Sequence, residues 1–278
     1  MKNNILVLGG TGKTGRRIVQ KLKEQGHNVR VGSRSESPAF DWDKTETWGM
    51  ALEGMEKVYI TFQPDLAVPG ALEAIEGLVR EAKRKGVQKV VLLSGKGERE
   101  AELCEQVVIN CGLDYTIVRA SWFNQNFSES FFLEPIQAGF VALPQADAKV
   151  PYVDADDIAD VAVEALLNNV HYGNIYELTG PRFLTFREVM AEIAQAVGKE
   201  IAFTPIGLPA YTQMLKEQGV PGDYVWLINY LFTEVLGNEA NQVITHDVEK
   251  VLGRKPKDFS VYVEETAATG IWNQPVRV

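Results

Sequence analysis

The chain has 278 residues, of which 45% are hydrophobic and 23% charged, which is typical of a globular protein with one large or two small domains. Its formal net charge of −9 repels phosphate backbones, so we expect no nucleic-acid partner. There is no apolar run of about 18 residues, and the short apolar stretch at the N-terminus leads directly into a glycine loop. We therefore expect no membrane span, no signal peptide and a cytoplasmic location.

Cysteine and histidine residues are few and scattered. Cys104 and Cys111 are seven residues apart, which on a helix separates them by about 10 Å, too far for a disulfide. We interpret both as small buried hydrophobic residues, with a redox pair or a metal site as the alternative. His27, His171 and His246 have no ligand spacing, so we predict no metal site.

Apolar strands alternate with helices in the first half of the chain. The predicted strands are 5–8, 29–33, 57–61, 89–94 and 115–119, and the predicted helices are 13–25, 66–86 and 98–111. Alternation at these lengths predicts an α/β fold with a doubly wound parallel Rossmann sheet.

The second half of the chain is less regular. We predict strands at 140–143, 174–180 and 201–206, and helices at 154–168, 185–197, 207–218, 223–236, 246–252 and 259–269. The predicted domains are a Rossmann domain over 1–150, to which 151–180 return, and a smaller, mostly helical substrate or lid domain over 181–278. This boundary is expected to be discontinuous.

The stretch LGGTGKTGRR at 8–17 contains the tripeptide GKT, which also occurs in nucleotide-binding P-loops. A P-loop needs a glycine five residues before Gly12, but that position is Val7, inside the first strand. The glycines instead match the dinucleotide pattern, in which the loop approaches a pyrophosphate and a helix begins against it. A purely structural turn is the alternative. The predicted loop ligands are Gly9, Gly10, Thr11, Gly12, Lys13, Thr14 and Gly15.

The end of the second strand indicates which dinucleotide binds. An NAD site usually carries an acid there, but this chain has Ser33 and Arg34. An arginine can bind a 2′-phosphate through its guanidinium fork, and Lys13 can add a second cation. We therefore predict NADP(H) in preference to NAD(H), with Glu36 as the nearby acid that argues for the alternative.

The glycine loop, the order of elements and the chain length resemble the short-chain dehydrogenase superfamily, in its extended or atypical branch. Members usually combine a Ser or Thr with a Y-x-x-x-K pair on the next helix, where the lysine lowers the tyrosine pKa. Ser94 stands at the serine position, but no tyrosine of the chain has a lysine four residues later. The usual alcohol-dehydrogenase or epimerase mechanism is therefore not expected.

Longer segments narrow the resemblance. The GGTGKTG loop, LDYTIVRASWFNQNF at 113–127, VPYVDADDIADVAVEAL at 150–166 and the segment 174–199 resemble the NmrA-like group over essentially the whole chain. GKT together with FDW at 40–42 resembles the festuclavine synthase/agroclavine dehydrogenase branch and its bacterial relatives. Ala120 stands where the group often has proline.

The resemblance implies three possible functions. The group includes NADPH-dependent reductases of quinones, triphenylmethane dyes and iminium ions, so the first is hydride transfer from NADPH to a small planar electrophile. Such acceptors need positioning more than a strong acid, which suits the missing tyrosine–lysine pair. The second is a non-catalytic NADP(H)-binding redox sensor that binds a protein partner. The third is a sugar-nucleotide epimerase or reductase.

Further candidate residues follow the strands, where ligands bind in open α/β sheets. Near the cofactor we predict Asp41, Phe62 and Gln63 on the adenosine side, and Ser94 and Gly95 at the nicotinamide ribose. Ser94 is also a candidate catalytic residue.

The aromatic segment after the fifth strand suits a planar acceptor, so we predict Trp122, Phe123, Asn124 and Phe127 as substrate-binding residues. Their alternative role is as core aromatics and, for Asn124, as a turn cap. Asp156 is a candidate proton donor, if burial raises its pKa. The alternative is an ordinary acid at a helix N-terminus.

Overall fold

The computed structural model describes residues 2–275, which divide into two compact units. Unit 1 contains the residues up to 120, 155–178 and 247–254, and unit 2 contains 121–154, 179–246 and the residues from 255 onward. The predicted bounds assigned 121–150 to the Rossmann domain, but the chain leaves the sheet where the fifth strand ends, at Ala120. The segment 247–254, predicted to lie in the smaller domain, belongs to unit 1.

Eight strands and eleven α-helices are present in the described residues. The strands are β1 Asn4–Leu8, β2 Asn28–Gly32, β3 Lys57–Ile60, β4 Lys89–Gly95, β5 Asp114–Ala120, β6 Phe140–Leu143, β7 Asn174–Leu178 and β8 Ala202–Pro205. The helices are α1 Lys13–Glu24, α2 Trp48–Leu52, α3 Ala71–Arg84, α4 Arg99–Ile109, α5 Leu133–Ala138, α6 Ala155–Leu167, α7 Phe186–Val197, α8 Leu208–Glu217, α9 Gly222–Tyr230, α10 Asp247–Leu252 and α11 Phe259–Ala268.

Unit 1 is built on a six-stranded sheet in the order β2-β1-β3-β4-β5-β7. All of its strand pairs are parallel. The predicted α/β fold with a parallel Rossmann sheet is therefore confirmed. The register pairs Leu8 with Gly32, so the segments after β1 and β2 begin side by side at the carboxyl edge of the sheet.

The central strands are apolar because helices cover both faces of a parallel sheet. Residues 5–8 of β1 are fully buried. The helix predicted over 66–86 begins only at Ala71. Gly70 has a φ of +88°, outside the helical region, and Pro69 disfavours helical backbone at Val68 before it.

Two lysines at the amino edge of the sheet cap the end of α6. Lys57, the first residue of β3, donates to the carbonyl of Leu166 (2.7 Å). Lys89, the first residue of β4, is 2% exposed and donates to the carbonyls of Ala165 and Asn168 (both 3.2 Å). These contacts satisfy carbonyl groups that have no partner within the helix. Burial lowers the pKa of Lys89.

Unit 2 has a core rich in aromatic side chains, beside a two-stranded parallel sheet of β6 and β8. A capping box begins α7, where Thr185 Oγ1 accepts from the Glu188 amide and the Glu188 carboxylate accepts from the Thr185 amide. The helix predicted over 223–236 consists of α9 followed by a π-helical turn at Leu231–Leu236. In the part of the chain that the structure describes, no helix is long and apolar enough to cross a membrane.

Candidate functional site

The glycine loop connects the buried strand β1 to α1. Gly9 has a φ of +60°, a conformation that favours glycine, and its amide donates to the carbonyl of Gly32 (2.9 Å). The Gly12 amide donates back to the Gly9 carbonyl (2.8 Å), which closes a tight turn. Gly12 is also the N-cap of α1, so the helix begins directly at the end of this turn.

The third glycine of the loop, Gly15, leaves no room for a side chain. A Cβ at this position would lie 2.7 Å from the carbonyl carbon of Gly9 and 2.8 Å from the Cα of Gly10, closer than real side chains approach. The first turn of α1 contains no acid, so its positive N-terminus is not neutralised there. A narrow glycine loop against a helix N-terminus fits a pyrophosphate, and Lys13 follows at the start of the helix.

The threonine of GKT has a structural contact. Thr14 is buried, and its hydroxyl lies 2.9 Å from the hydroxyl of Tyr59 on β3. Burial raises the pKa of Tyr59 above its ordinary value. Because the Thr14 hydroxyl contacts the sheet, it does not take the role of a P-loop hydroxyl, which binds Mg²⁺. Thr11 is exposed within the loop.

Ser33 and Arg34 directly follow β2, beside the glycine loop. The Ser33 hydroxyl lies 3.1 Å from that of Ser35, and the Ser33 carbonyl accepts from the Phe40 amide (2.9 Å). Arg34 is exposed. The arginine predicted to bind a 2′-phosphate is therefore at the sheet edge where the 2′-position of an NADP ribose is bound in Rossmann folds.

The segments after β2 and β3 meet through aromatic rings. The rings of Trp42 and Phe62 are 4.7 Å apart, and Trp42 also contacts Trp48 edge to face at 5.7 Å. Asp41 belongs to the same segment, and its carbonyl accepts from the Trp48 indole (2.8 Å). Gln63 is exposed, and its side-chain Nε2 lies 4.0 Å from the position that a Cβ on Gly12 would occupy. Gln63 therefore borders the glycine loop.

Ser94, near the end of β4, has a buried acid as its partner. Its Oγ donates to Oε1 of Glu105 (2.7 Å), a fully buried residue of α4. Arg119 on β5 binds both oxygens of Glu105 through Nε and also binds Glu177 on β7 through Nη1 (3.1 Å). These acids raise the pKa of Arg119. The network holds the Ser94 hydroxyl facing Glu105. Its catalytic role remains a prediction.

Sequence reasoning overlooked three acids near this part of the sheet. Glu105 was included only in the predicted helix 98–111, and no role was considered for Asp65 or Glu98. Asp65 follows β3, and Glu98 follows Gly95 at the end of β4. Their position a few residues after neighbouring strands was the available signal. Burial, and after it the charge of Asp65, raises the pKa of Glu98 well above its ordinary value.

Asp156 lies in the first turn of α6, where its carboxylate accepts from Arg17 Nε (2.9 Å). Arg17 also donates to the carbonyl of Lys13. Asp160, one turn later on α6, also has a partner on α1, since Lys21 contacts it at 2.7 Å. The geometry therefore shows Asp156 in a salt bridge between α1 and α6, and its role as a proton donor remains a prediction.

The predicted aromatic substrate residues belong to unit 2. Phe127 is fully buried, and its ring lies 5.2 Å from that of Phe132 and 5.3 Å from that of Tyr152. Trp122 and Phe123 are partly exposed, and Trp122 stacks on Phe132 at 6.3 Å. Phe127 therefore has the packing of a core aromatic, whereas Trp122 and Phe123 retain surface that a ligand could contact.

Asn124 belongs to a buried polar cluster in unit 2. Its Nδ2 donates to Oδ2 of the buried Asp154 (3.2 Å), which also accepts from Gln125 Nε2 (3.0 Å). Lys257 contacts the other oxygen of Asp154 at 3.7 Å. Asn124 Oδ1 is buried and has no hydrogen-bond partner among residues 2–275. Across the same residues, no three acids, histidines or cysteines group as metal ligands would.

The comparisons with known proteins agree with the geometry of unit 1. A profile described as NAD(P)H-binding matches residues 9–169. The chain belongs to this NAD(P)H-binding, NmrA-like family. The resemblance inferred from the sequence is thereby confirmed, as is the assignment of the chain to NAD(P)-binding Rossmann oxidoreductases.

Similar proteins match nearly the whole chain. The agroclavine dehydrogenase of Claviceps fusiformis is 30% identical, over 94% of this chain and 96% of its own. Prestalk A differentiation protein A of Dictyostelium discoideum is 29% identical, over 95% and 93%. The NAD(P)H azoreductase of Xenophilus azovorans is 28% identical, over 95% and 98%.

Solved structures share the fold at low sequence identity. A nucleoside-diphosphate-sugar epimerase of Staphylococcus aureus has a TM-score of 0.79 at 20% identity, covering 94% of this chain and 99% of its own. The triphenylmethane reductase of Citrobacter sp., complexed with NADP(H), has 0.74 at 18%, covering 95% and 99%. The negative transcriptional regulator NmrA has 0.70 at 18%, covering 99% and 100%. At these identities the likeness concerns the fold alone.

Proposed function

We propose that this protein is an NADPH-dependent reductase that transfers hydride to a small planar electrophile such as a quinone, an imine or an iminium ion. The observation that carries the proposal is the narrow loop formed by Gly9, Gly12 and Gly15 at the N-terminus of α1, with Arg34 exposed at the end of the neighbouring strand. Similar proteins described as a dehydrogenase and an NAD(P)H azoreductase support the reaction class.

The chain itself would bind and orient the cofactor. The α1 N-terminus and the glycine loop would bind the pyrophosphate, and Arg34 with Lys13 would bind the 2′-phosphate. Gln63 and Gly95 would border the ribose groups. NADPH supplies a hydride when it is bound. No tyrosine has a lysine four residues later, so an acceptor that is already electrophilic suits this chain best.

On the acceptor side, we propose that the exposed surfaces of Trp122 and Phe123 contact the flat ring system of the substrate. Both residues are partly exposed in unit 2, unlike Phe127 and Asn124. Aromatic walls bind planar ligands by stacking.

The decisive experiment is the loss of NADPH absorbance with purified protein and a panel that contains a benzoquinone, a naphthoquinone, a cyclic iminium ion and a triphenylmethane dye. We expect protein-dependent oxidation with at least one acceptor, faster with NADPH than with NADH. Arg34→Ala should reduce that preference, whereas Arg80→Ala, at an exposed arginine of α3, should leave it unchanged.

The sensor function is the second candidate, and the structural likeness to the regulator NmrA motivates it. Tight binding of NADPH and NADP⁺ without oxidation by any acceptor would reject the reductase proposal in favour of a sensor. The epimerase likeness has less weight, because that chemistry needs the catalytic tyrosine described above, which this chain lacks.

A further inference from the structure

Four aromatic side chains gather at the carboxyl edge of the sheet in unit 1. Phe40 and Trp42 follow β2, Trp48 is the first residue of α2, and Phe62 follows β3. Phe40 and Trp48 are only 3% and 4% exposed, whereas Trp42 and Phe62 are partly exposed. The cluster therefore has a buried side and a side that reaches the protein surface.

The two buried rings hold the indole of Trp42. Phe40 meets it edge to face, with 5.0 Å between the ring centroids and 89° between the ring planes. Trp48 meets it at 5.7 Å and 75°. The backbone beside Trp42 is fixed as well, because the Asp41 carbonyl accepts from the Trp48 indole (2.8 Å) and Asp41 Oδ1 accepts from the Asp43 amide (3.2 Å). These contacts set the orientation of the Trp42 ring before any ligand binds.

Arg30 on β2 anchors the helix that carries Trp48. Its Nη1 donates to the carbonyls of Ala51 and Glu53 (both 2.8 Å) at the end of α2. Carbonyls at the end of a helix have no partner within it, so these bonds satisfy groups that would otherwise need water. They also tie α2 to the edge strand of the sheet, which keeps the Trp48 ring in contact with Trp42.

Trp42 lies between the segments predicted to bind the two phosphate groups of the cofactor. Its own segment is tied to the end of β2, since the Phe40 amide donates to the carbonyl of Ser33, the residue before Arg34. On the other side, the Trp42 ring is 4.7 Å from that of Phe62, and the residue after Phe62 borders the glycine loop. The adenosine of NADP(H) is bonded to both the pyrophosphate and the 2′-phosphate, so its base lies close to the groups that bind them.

We propose that the adenine base of the cofactor stacks on the partly exposed ring of Trp42, with Phe62 beside it. A base presents an extended π face, and its stacking on an aromatic ring requires no particular pattern of hydrogen-bond donors. Asp41 would then act by shaping the turn that presents Trp42. The inference rests on the proposed dinucleotide site, but it concerns binding of the adenosine half and not hydride transfer.

The test uses adenosine 2′,5′-bisphosphate, which contains the adenine base and the 2′-phosphate but no nicotinamide. Its Kd is measured by calorimetry for the unchanged protein and for three variants. Trp42→Ala should bind it about tenfold more weakly, whereas Trp42→Phe keeps an aromatic face and should retain most of the affinity. Trp226→Ala, at an exposed tryptophan of unit 2, is the matched control and should bind like the unchanged protein.

Tryptophan fluorescence reports the contact separately from affinity. The bisphosphate should quench the emission of the unchanged protein and of Trp226→Ala. In Trp42→Phe it should still bind, but most of this quenching should be lost, because the stacked indole is absent. A substitution that merely weakened the fold would not separate quenching from affinity in this way.

The outcomes separate this inference from the proposed reductase. Bisphosphate binding with the expected quenching, in a protein that reduces no acceptor, supports the inference and rejects the reductase. Unchanged affinity in Trp42→Ala, or undiminished quenching in Trp42→Phe, would overturn the inference even if the protein oxidises NADPH. Failure of the unchanged protein to bind the bisphosphate would reject the dinucleotide site and the inference together.

Discussion

Charged groups are buried at both edges of the six-stranded sheet, but their partners differ. At the amino edge, Lys57 and Lys89 donate to the last carbonyls of α6, so their charge stabilises a helix end. At the carboxyl edge, Glu105 is paired with Arg119, whereas Glu98 keeps a buried oxygen without a hydrogen-bond partner among residues 2–275. The comparison indicates that the amino edge stabilises the end of α6, whereas the carboxyl edge combines a stabilising ion pair with a buried carboxyl oxygen that has no such partner.

The largest expected effect is on the free energy of unfolding, when the ion pair between Glu105 and Arg119 is broken. Glu105→Ala would remove the main partner of Arg119 and the acceptor of the Ser94 hydroxyl. Because it leaves a largely buried charge without its closest partner, we expect the free energy of unfolding to fall by about 3–5 kcal/mol in urea titrations. Glu102→Ala removes an exposed acid of the same helix, 4.0 Å from Arg119, and should cost less than about 1 kcal/mol. Equal costs would show that Glu105 is not the important partner.

The second expected effect is on cofactor affinity. Gly15→Ala introduces a methyl group that overlaps the backbone of Gly9 and Gly10, so the loop must open. We expect the affinity for NADPH to fall by about 100-fold, equivalent to about 2.7 kcal/mol. Gly222→Ala is the control, since a methyl group there meets no atom within 4 Å. Unchanged affinity in Gly15→Ala would contradict the assignment of the loop.

The third prediction tests the amino edge. Lys89→Met keeps the length of the side chain but removes the donor to α6, so the free energy of unfolding should fall by about 2 kcal/mol. The affinity of the folded variant for NADPH should stay the same, because this lysine is at the edge opposite the glycine loop. Lys23→Met, at an exposed lysine of α1, should change neither quantity. A loss of NADPH affinity in Lys89→Met would contradict the interpretation that the amino edge of the sheet affects stability only.

The smallest expected effect concerns cofactor choice. Arg34→Ala removes the exposed guanidinium beside the glycine loop, so the preference for NADPH over NADH should fall by about tenfold, or about 1.4 kcal/mol. Affinity for NADH should hardly change, because it carries no 2′-phosphate. An equal loss of affinity for both cofactors would instead indicate that Arg34 supports the loop.

The part of the site that depends on local sequence could be predicted. The apolar β1, the glycine spacing and the start of α1 are consecutive, so residues 5–17 were sufficient to predict the loop. The side-chain partners could not be predicted. Thr14 contacts Tyr59, and Ser94 contacts Glu105, only because strand order brings distant segments together.

The domain bounds show the same limit. Helix and strand periodicity located most elements to within a few residues. However, 121–154 were predicted with the Rossmann domain and belong to unit 2, whereas 247–254 were predicted with the smaller domain and belong to unit 1. Periodicity reports which face of an element is buried and not which core buries it. Phe127 is an example, since its aromatic neighbours come from positions between 132 and 259.

The sequence was thus sufficient to predict the fold class, the glycine loop and the family resemblance. The loop depends on a short glycine pattern with fixed backbone needs, and the other two depend on the order of elements and motifs along the chain. Tertiary structure alone decided which polar groups are satisfied. The Arg119–Glu105 network and the lysine caps of α6 each join different elements of the fold. Their energies depend on burial, which the order of residues does not reveal until the strands are assembled.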